Sequence, residues 1–220
     1  MPKQVDHANR RRLIAEAVCR LADERGLEGV TLRDVAACAQ VSMGAVQRCF
    51  RTKEEMLVFA LGHIGERIGE RVRARLVRSP AQSAGTRLGH AATEVSLLHE
   101  DHRAEARVWL AFVAQAAVST ALAETLKSNY AALQEVFAGL IWEASEAAAP
   151  AANEGSAAAP VDAQREARAL LALADGLTTH VLIGHLAPRE AEDVLHAHLA
   201  DLWERPARTA MDRKTDRKAP

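Results

Sequence analysis

Hydrogen-bonding side chains that suit nucleic-acid contacts cluster between Thr31 and Lys53. Gln47 offers a donor and an acceptor at the spacing of an adenine edge, and Arg48 offers paired donors for guanine or a phosphate. The small residue Ala45, two positions before Gln47, could touch a thymine methyl group. These types and spacings predict a short segment that contacts base edges and phosphates, provided that a rigid element presents them.

Two short helices joined by a tight turn are the predicted element. Thr31 is an N-cap candidate with Asp34 three residues on, and Ser42 is the next N-cap. Phe50 closes the second helix, and the segment from Thr52 to Glu55 forms a further capping box. Two helices held at a steep angle by such a turn are a helix-turn-helix, whose second helix enters the major groove of DNA.

Residues 11–57 resemble the DNA-binding domain of the TetR family of bacterial one-component repressors. The matching segments are Glu24-Arg25-Gly26, Val30-Thr31-Leu32-Arg33-Asp34-Val35-Ala36, Val41-Ser42-Met43-Gly44-Ala45-Val46, and Phe50 with Lys53-Glu54. One departure concerns the end of the second helix. The family usually carries a tyrosine before the closing aromatic residue and a His or Tyr beside it, whereas this chain has Gln47, Arg48 and Cys49.

The resemblance also implies roles for individual residues in DNA binding. Thr31, Arg33 and Lys53 lie at helix starts where family members hold the phosphate backbone. The first turn of the second helix meets base edges in this motif. The predicted DNA-contacting residues are Thr31, Arg33, Ser42, Met43, Gly44, Ala45, Gln47, Arg48 and Lys53. For each, the alternative is a solvated surface residue or a plain helix cap.

The distribution of charge fits a chain that meets phosphates at its N-terminal end. The formal net charge is -1, but residues 1–56 carry +2, residues 57–203 carry -6 and residues 204–220 carry +3. An acidic body with basic extremities suits such a protein.

Helical periodicity runs almost from end to end, and strand alternation is absent. The sequence therefore predicts an all-α protein of about nine helices. We expect a helix-turn-helix DNA-binding domain at 1–52, a helical effector-binding and dimerisation domain at 53–204, and a flexible basic tail at 205–220. The alanine-rich stretch 147–160 is expected to be a flexible loop.

Aromatic residues gather on the sixth and seventh predicted helices. The TetR resemblance implies that these helices, with the fifth and eighth, enclose an effector cavity. A cationic amphiphile held by cation–π contact and an uncharged aromatic or acyl ligand both fit such a pocket. The predicted pocket residues are His90, Glu94, Trp109, Phe112, Val113, Ala116, Tyr130, Phe137 and Thr178.

Apolar stripes on the last two helices suggest self-association. Each stripe could face the protomer's own core or a second copy, and the resemblance favours a homodimer built as a four-helix bundle across a two-fold axis. The predicted interface residues are Leu170, Ala174, Leu177, Val181, Leu195, Leu199 and Leu202.

Other classes of site find little support. His99 and His102 fall in a predicted turn with no third ligand at zinc spacing, and no catalytic constellation or phosphate-binding glycine loop occurs. We expect no catalytic residues, metal or cofactor. No apolar run is long enough to span a membrane and no signal-peptide core precedes the N-terminal charges, so we expect a cytoplasmic protein. Cys19 and Cys38 are interpreted as small buried residues, and a redox role of Cys49 stays open.

The predicted function is a ligand-responsive DNA-binding transcriptional regulator, a repressor released from a palindromic operator by a small molecule. An architectural, ligand-free DNA-binding dimer is one alternative, and the absence of a closed cavity would favour it. An all-α enzyme or carrier is the other, although no catalytic arrangement supports it. The expected partners are double-stranded DNA, a second copy of the chain and an unidentified small molecule.

Overall fold

Helices form nearly all of the described chain. A computed structural model describes residues 2–78, 83–148 and 161–216, with side chains at 7–78, 83–147 and 161–203. The helices are α1 (Pro2–Arg25), α2 (Leu32–Cys38), α3 (Met43–Cys49), α4 (Lys53–Val77), α5 (Ala84–Val95), α6 (Arg103–Ala116), α7 (Thr120–Ala148), α8 (Ala163–Leu182) and α9 (Pro188–Asp216), with a 3-10 turn at Glu100–His102. Nine helices and no strand in these ranges confirm the all-α prediction. Most of the predicted 147–160 loop, residues 149–160, lies outside the described residues.

The chain divides into two compact units. The first comprises residues 1–70 and 99–131, and the second comprises residues 71–98 and 132–220. The first unit therefore contains α6 as well as the helix-turn-helix, because α6 packs against α1. This division by packing does not coincide with the predicted functional boundary at residue 52.

In the first unit, α1 is the helix on which the helix-turn-helix rests. It packs against α2, α3 and α6. Ile14 and Val18 on α1 are fully buried, as are Val35 on α2 and Val46 on α3. Removing such side chains from water is the main force that holds α3 in place.

In the second unit, α5, α8 and α9 pack against one another. The seven residues predicted for a dimer interface lie in this core, and none of them is more than 8% exposed. This burial argues against these residues as the main dimer contact, because helical periodicity identifies the buried face of a helix but not what covers it. The residues concerned are Leu170, Ala174, Leu177, Val181, Leu195, Leu199 and Leu202.

The last helix is longer than the sequence pattern suggested. Helix α9 runs to Asp216, so it includes most of the stretch from Arg205 that was expected to be a tail, and the flexibility of that stretch stays a prediction. The alanine, arginine, lysine and methionine residues in this stretch have high helix propensity. A polar composition therefore did not imply the absence of a helix. Among the described residues, no helix has the length and hydropathy to cross a bilayer.

Candidate nucleic-acid interface

The turn between α2 and α3 has the hydrogen bonds of a Schellman motif. Gln40 lies in the left-handed region with φ 55°, a backbone conformation usually given to glycine. Val41 N–H donates to the Ala36 carbonyl at 3.0 Å, and Gln40 N–H donates to the Ala37 carbonyl at 3.2 Å. These bonds end α2 and turn the chain directly into α3.

Ser42 caps α3 as the sequence predicted. Its hydroxyl accepts the Ala45 backbone N–H at 3.2 Å, so the first turn of α3 is fixed. Met43, the first residue of the helix, is 39% exposed, whereas Ala45 is only 7% exposed. Ala45 therefore faces the core, and this burial argues against the suggested contact between its side chain and a thymine methyl. Met43 is the apolar side chain that α3 presents to solvent in its first turn.

The outer face of α3 carries the polar side chains of the prediction. Gln47 and Arg48 are both exposed. A methyl group added at Gly44 would lie 3.6 Å from Nη1 of Arg48, which is ordinary contact, so the Arg48 guanidinium lies back along the helix towards its N-terminus. Gly44, Gln47 and Arg48 stay predicted DNA contacts.

The predicted phosphate-binding residues differ in exposure and in the hydrogen bonds that they already make. The Thr31 hydroxyl caps α2 by accepting the Asp34 N–H at 3.2 Å, and it lies 2.6 Å from Asp34 Oδ2 as a donor. Arg33 is exposed. Lys53 is half-buried, and its Nζ donates to the Glu28 carbonyl at 3.4 Å. Lys53 must therefore break or share its long hydrogen bond with the Glu28 carbonyl to reach a phosphate. Arg33 is exposed and can reorient towards a phosphate in solvent.

An aromatic pair closes the far end of α3. Phe50 is 1% exposed, and its ring centroid lies 5.4 Å from that of Phe59 on α4. The Arg11 guanidinium from α1 lies over both rings, 4.7 Å from the Phe50 centroid and 4.3 Å from the Phe59 centroid. This cation–π arrangement joins three helices at one point. Sequence analysis missed Arg11, since nothing in its spacing links it to residues 39 and 48 positions away.

The three cysteines of the first unit differ in burial: Cys49 is buried, whereas Cys19 and Cys38, interpreted from the sequence as buried, are only half-buried. Cys49 is 5% exposed at the end of α3, so a redox role would need the helix to open first. Burial raises the pKa of Cys19 from its usual 9.0 to about 12, although the nearby Arg67 lowers it. The Cys19 thiol is therefore protonated near neutral pH and is a poor nucleophile.

Five predicted pocket residues lie in the first unit, on α6 and α7. Trp109 is 6% exposed and Phe112 is fully buried. The rings of Trp109 and Tyr130 meet edge-on with centroids 5.9 Å apart. Val113 is half-buried, and Ala116 is 8% exposed. The predicted aromatic cluster therefore exists, while its role in ligand binding stays a prediction.

The other four predicted pocket residues lie in the second unit. The Thr178 hydroxyl lies 2.6 Å from the Ser96 carbonyl and 2.9 Å from the Ala174 carbonyl, so its proton is used by the backbone. Glu94 Oε2 is 3.7 Å from Arg71 Nε. His90 Nδ1 is buried without a hydrogen-bond partner among the described residues, and Phe137 is fully buried.

Histidine pairs do not assemble a metal centre in the described part of the chain. The rings of His99 and His102 meet edge-on at 5.9 Å, and no group of three or more metal-ligating side chains is found there.

The N-terminal and C-terminal parts of the chain both match models of bacterial transcriptional regulators. Residues 14–58 match the model described as "Bacterial regulatory proteins, tetR family", and residues 84–204 match "BetI-type transcriptional repressor, C-terminal". The chain is 34% identical over 189 residues to the HTH-type transcriptional regulator PksA of Bacillus subtilis (strain 168), with 83% of each protein covered.

Two solved structures resemble the whole fold. A transcriptional regulator from Rhodococcus sp. Rha1 superposes with a TM-score of 0.74 and 28% identity, over 88% of this chain and 96% of that one. A transcriptional regulator from Saccharomonospora viridis, solved in complex with choline, gives a TM-score of 0.71 and 26% identity, over 90% of this chain and 96% of that one.

Proposed function

The chain belongs to the TetR family of bacterial DNA-binding transcriptional regulators, and we propose that it is a cytoplasmic repressor that a small molecule releases from a palindromic operator. The family and its relative PksA are transcriptional regulators, which sets aside the alternative of an enzyme or carrier.

One observation carries the proposal for DNA. Helix α3 is capped at Ser42, is closed at Phe50, and exposes Met43, Gln47 and Arg48 to solvent. A rigid, short helix with an apolar and two polar side chains on its outer face fits the major groove. In a dimer, two such helices would read half-sites about 34–36 Å apart.

Selection of duplexes from random DNA tests this proposal. We expect a pseudo-palindromic sequence to be enriched. Lys53→Ala should weaken binding to all duplexes and reduce the salt dependence by a slope of about 0.9, because one phosphate contact is lost. Lys127→Ala is the matched control, since Lys127 is an exposed lysine on α7 that pairs with Glu124. Failure to enrich any duplex would refute operator binding.

We place the dimer contact on the outer faces of α8 and α9. Ile183, directly after α8, is 71% exposed and Val194 on α9 is 43% exposed, while Ala172, Gly176 and Ala197 are small and exposed. Small residues allow helices of two copies to approach closely in a bundle. Val194→Asp should shift sedimentation towards the monomer. If the variant still sediments as a dimer, the contact does not lie on this face of α9.

The effector proposed for first trial is a choline-like quaternary ammonium. The choline complex of the S. viridis relative supports it, as does the edge-on contact of Trp109 with Tyr130, because aromatic faces bind such cations. Choline at about 100 times its Kd should stabilise the folded protein by about 2.7 kcal/mol. Ala116→Trp should remove the response to choline, because the indole fills space beside Trp109 on α6.

A ligand-free architectural dimer is the second candidate. It is favoured by the tight burial of Trp109 and Phe112 and by the use of the Thr178 proton within the protein. A screen of cationic, aromatic and acyl compounds that shifts neither unfolding temperature nor operator affinity would support this candidate.

A further inference from the structure

We propose that Asp23 and Arg107 are positioning residues for operator binding, because their ion pair fixes α6 to the helix that carries α2 and α3. This inference rests on the proposed function as an operator-binding regulator. It assigns these two side chains the role of holding α6 in a fixed position against α1.

The two side chains meet in a forked arrangement. Arg107 Nε donates to Asp23 Oδ1 at 2.5 Å, and Arg107 Nη2 donates to Asp23 Oδ2 at 3.2 Å. Paired N–H···O bonds between a guanidinium and a carboxylate fix the orientation of both groups as well as their distance. The residues are 84 positions apart, so the pair joins two distant parts of the chain within the first unit.

The position of Asp23 explains why this contact bears on DNA. Asp23 lies in the last turn of α1, and α1 packs against α2, α3 and α6. A displacement of α6 that moves Asp23 would therefore also move α1, the helix on which α3 rests.

The position of Arg107 explains how α6 could be displaced. Arg107 is two residues before Trp109, and residues two apart on a helix point about 200° away from each other. One side of α6 thus faces Asp23 on α1, while the other places Trp109 against Tyr130 on α7. A molecule that separates Trp109 from Tyr130 would push α6 towards α1.

Two weaker contacts join other segments of the same unit. Arg67 Nε on α4 lies 3.9 Å from Glu105 Oε1 on α6, and the Ser119 hydroxyl donates to Glu54 Oε1 at 3.3 Å. Neither has the two paired hydrogen bonds of the Asp23–Arg107 contact. Because partly exposed ion pairs add little to stability, the pair should matter more for orientation than for the unfolding temperature.

Operator affinity of the full-length dimer is the first measurement, by fluorescence anisotropy with the duplex obtained by selection. Asp23→Asn and Arg107→Gln should each weaken binding by about three- to tenfold, and the double variant should be no weaker than either single one. The charge exchange Asp23→Arg with Arg107→Asp should restore the affinity to within about twofold of the original, because a guanidinium again meets a carboxylate.

A second ion pair provides the matched control. Arg87 Nη1 lies 3.1 Å from Glu143 Oε1 and 3.2 Å from Glu143 Oε2, and it joins α5 to α7 in the second unit. Arg87→Gln removes a comparable long-range pair that lies in the second unit, whereas α1 belongs to the first. Its operator affinity should stay within about twofold of the original.

Amide hydrogen exchange tests the ion pair without DNA. Asp23→Asn should accelerate exchange in α6 and in α2–α3, whereas Arg87→Gln should not. If no duplex is ever bound, the proposed function fails, and the exchange rates alone test the role of the pair. Unchanged affinity and exchange in Asp23→Asn, additive losses in the double variant, or an equal loss in Arg87→Gln would each overturn the inference.

Discussion

Replacing Arg11 with methionine tests whether the three-helix junction at the end of α3 is held by cation–π contact. Methionine keeps an unbranched apolar stem of similar length but removes the guanidinium that lies 4.7 Å from the Phe50 centroid and 4.3 Å from the Phe59 centroid. Arg11 Nε is buried and has no hydrogen-bond partner among the described residues, so the substitution loses no hydrogen bond at that atom.

The expected magnitude follows from these contacts. Two cation–π contacts at a half-buried site contribute about 0.5–1 kcal/mol each, or about 1–2 kcal/mol together. The methionine sulfur recovers part of this by contact with the same rings. We therefore expect Arg11→Met to destabilise the protein by about 1 kcal/mol, which for a chain of this size lowers the unfolding temperature by about 2–4 °C.

Thermal unfolding followed by circular dichroism, at one fixed protein concentration, measures the effect. Arg12→Met is the control, because Arg12 is exposed on the same helix and loses the same charge. Arg11→Lys should be intermediate, since an ammonium retains the charge but not the flat contact. Equal unfolding temperatures for Arg11→Met and Arg12→Met would refute the cation–π explanation.

Three further predictions concern single positions of the first unit. Gln40→Gly should stabilise the protein by about 0.5–1 kcal/mol, because φ 55° strains a residue with a Cβ, and chemical denaturation would show this as a higher midpoint. Met43→Ala should weaken discrimination between thymine and cytosine in competition binding, whereas Ala45→Gly should lower stability without changing base preference, since Ala45 is buried. Burial raises the pKa of Cys19 from 9.0 to about 12, so the unfolded chain loses this proton at a lower pH than the folded protein does. The contribution of the protonated thiol to the free energy of unfolding is therefore complete below about pH 9 and is lost as pH rises from about 9 to 12. The stability difference between the protein and Cys19→Ala should fall over that range, and a constant difference would contradict the shift.

Local sequence determined the helix-turn-helix because its signals act over a few residues. The caps at Thr31, Ser42 and Thr52 were predicted from residue type and spacing, and the structure shows the hydroxyl of each accepting a backbone N–H three residues on. The buried faces of α8 and α9 followed from helical period in the same way. Such features depend on residues within one or two turns of each other.

What covers each face was decided only by tertiary structure. The stripe containing Leu170 and Leu195 could have met a second copy, but it is covered by the protomer's own helices. The burial of Ala45 and the exposure of Met43 depend on which side of α3 meets α1, and that direction is set by packing. The contacts of Arg11 with Phe50 and of Asp23 with Arg107 join residues 39 and 84 positions apart, and no local spacing encodes them. Sequence periodicity defines a face of a helix, while the path of the whole chain decides which other face lies against it.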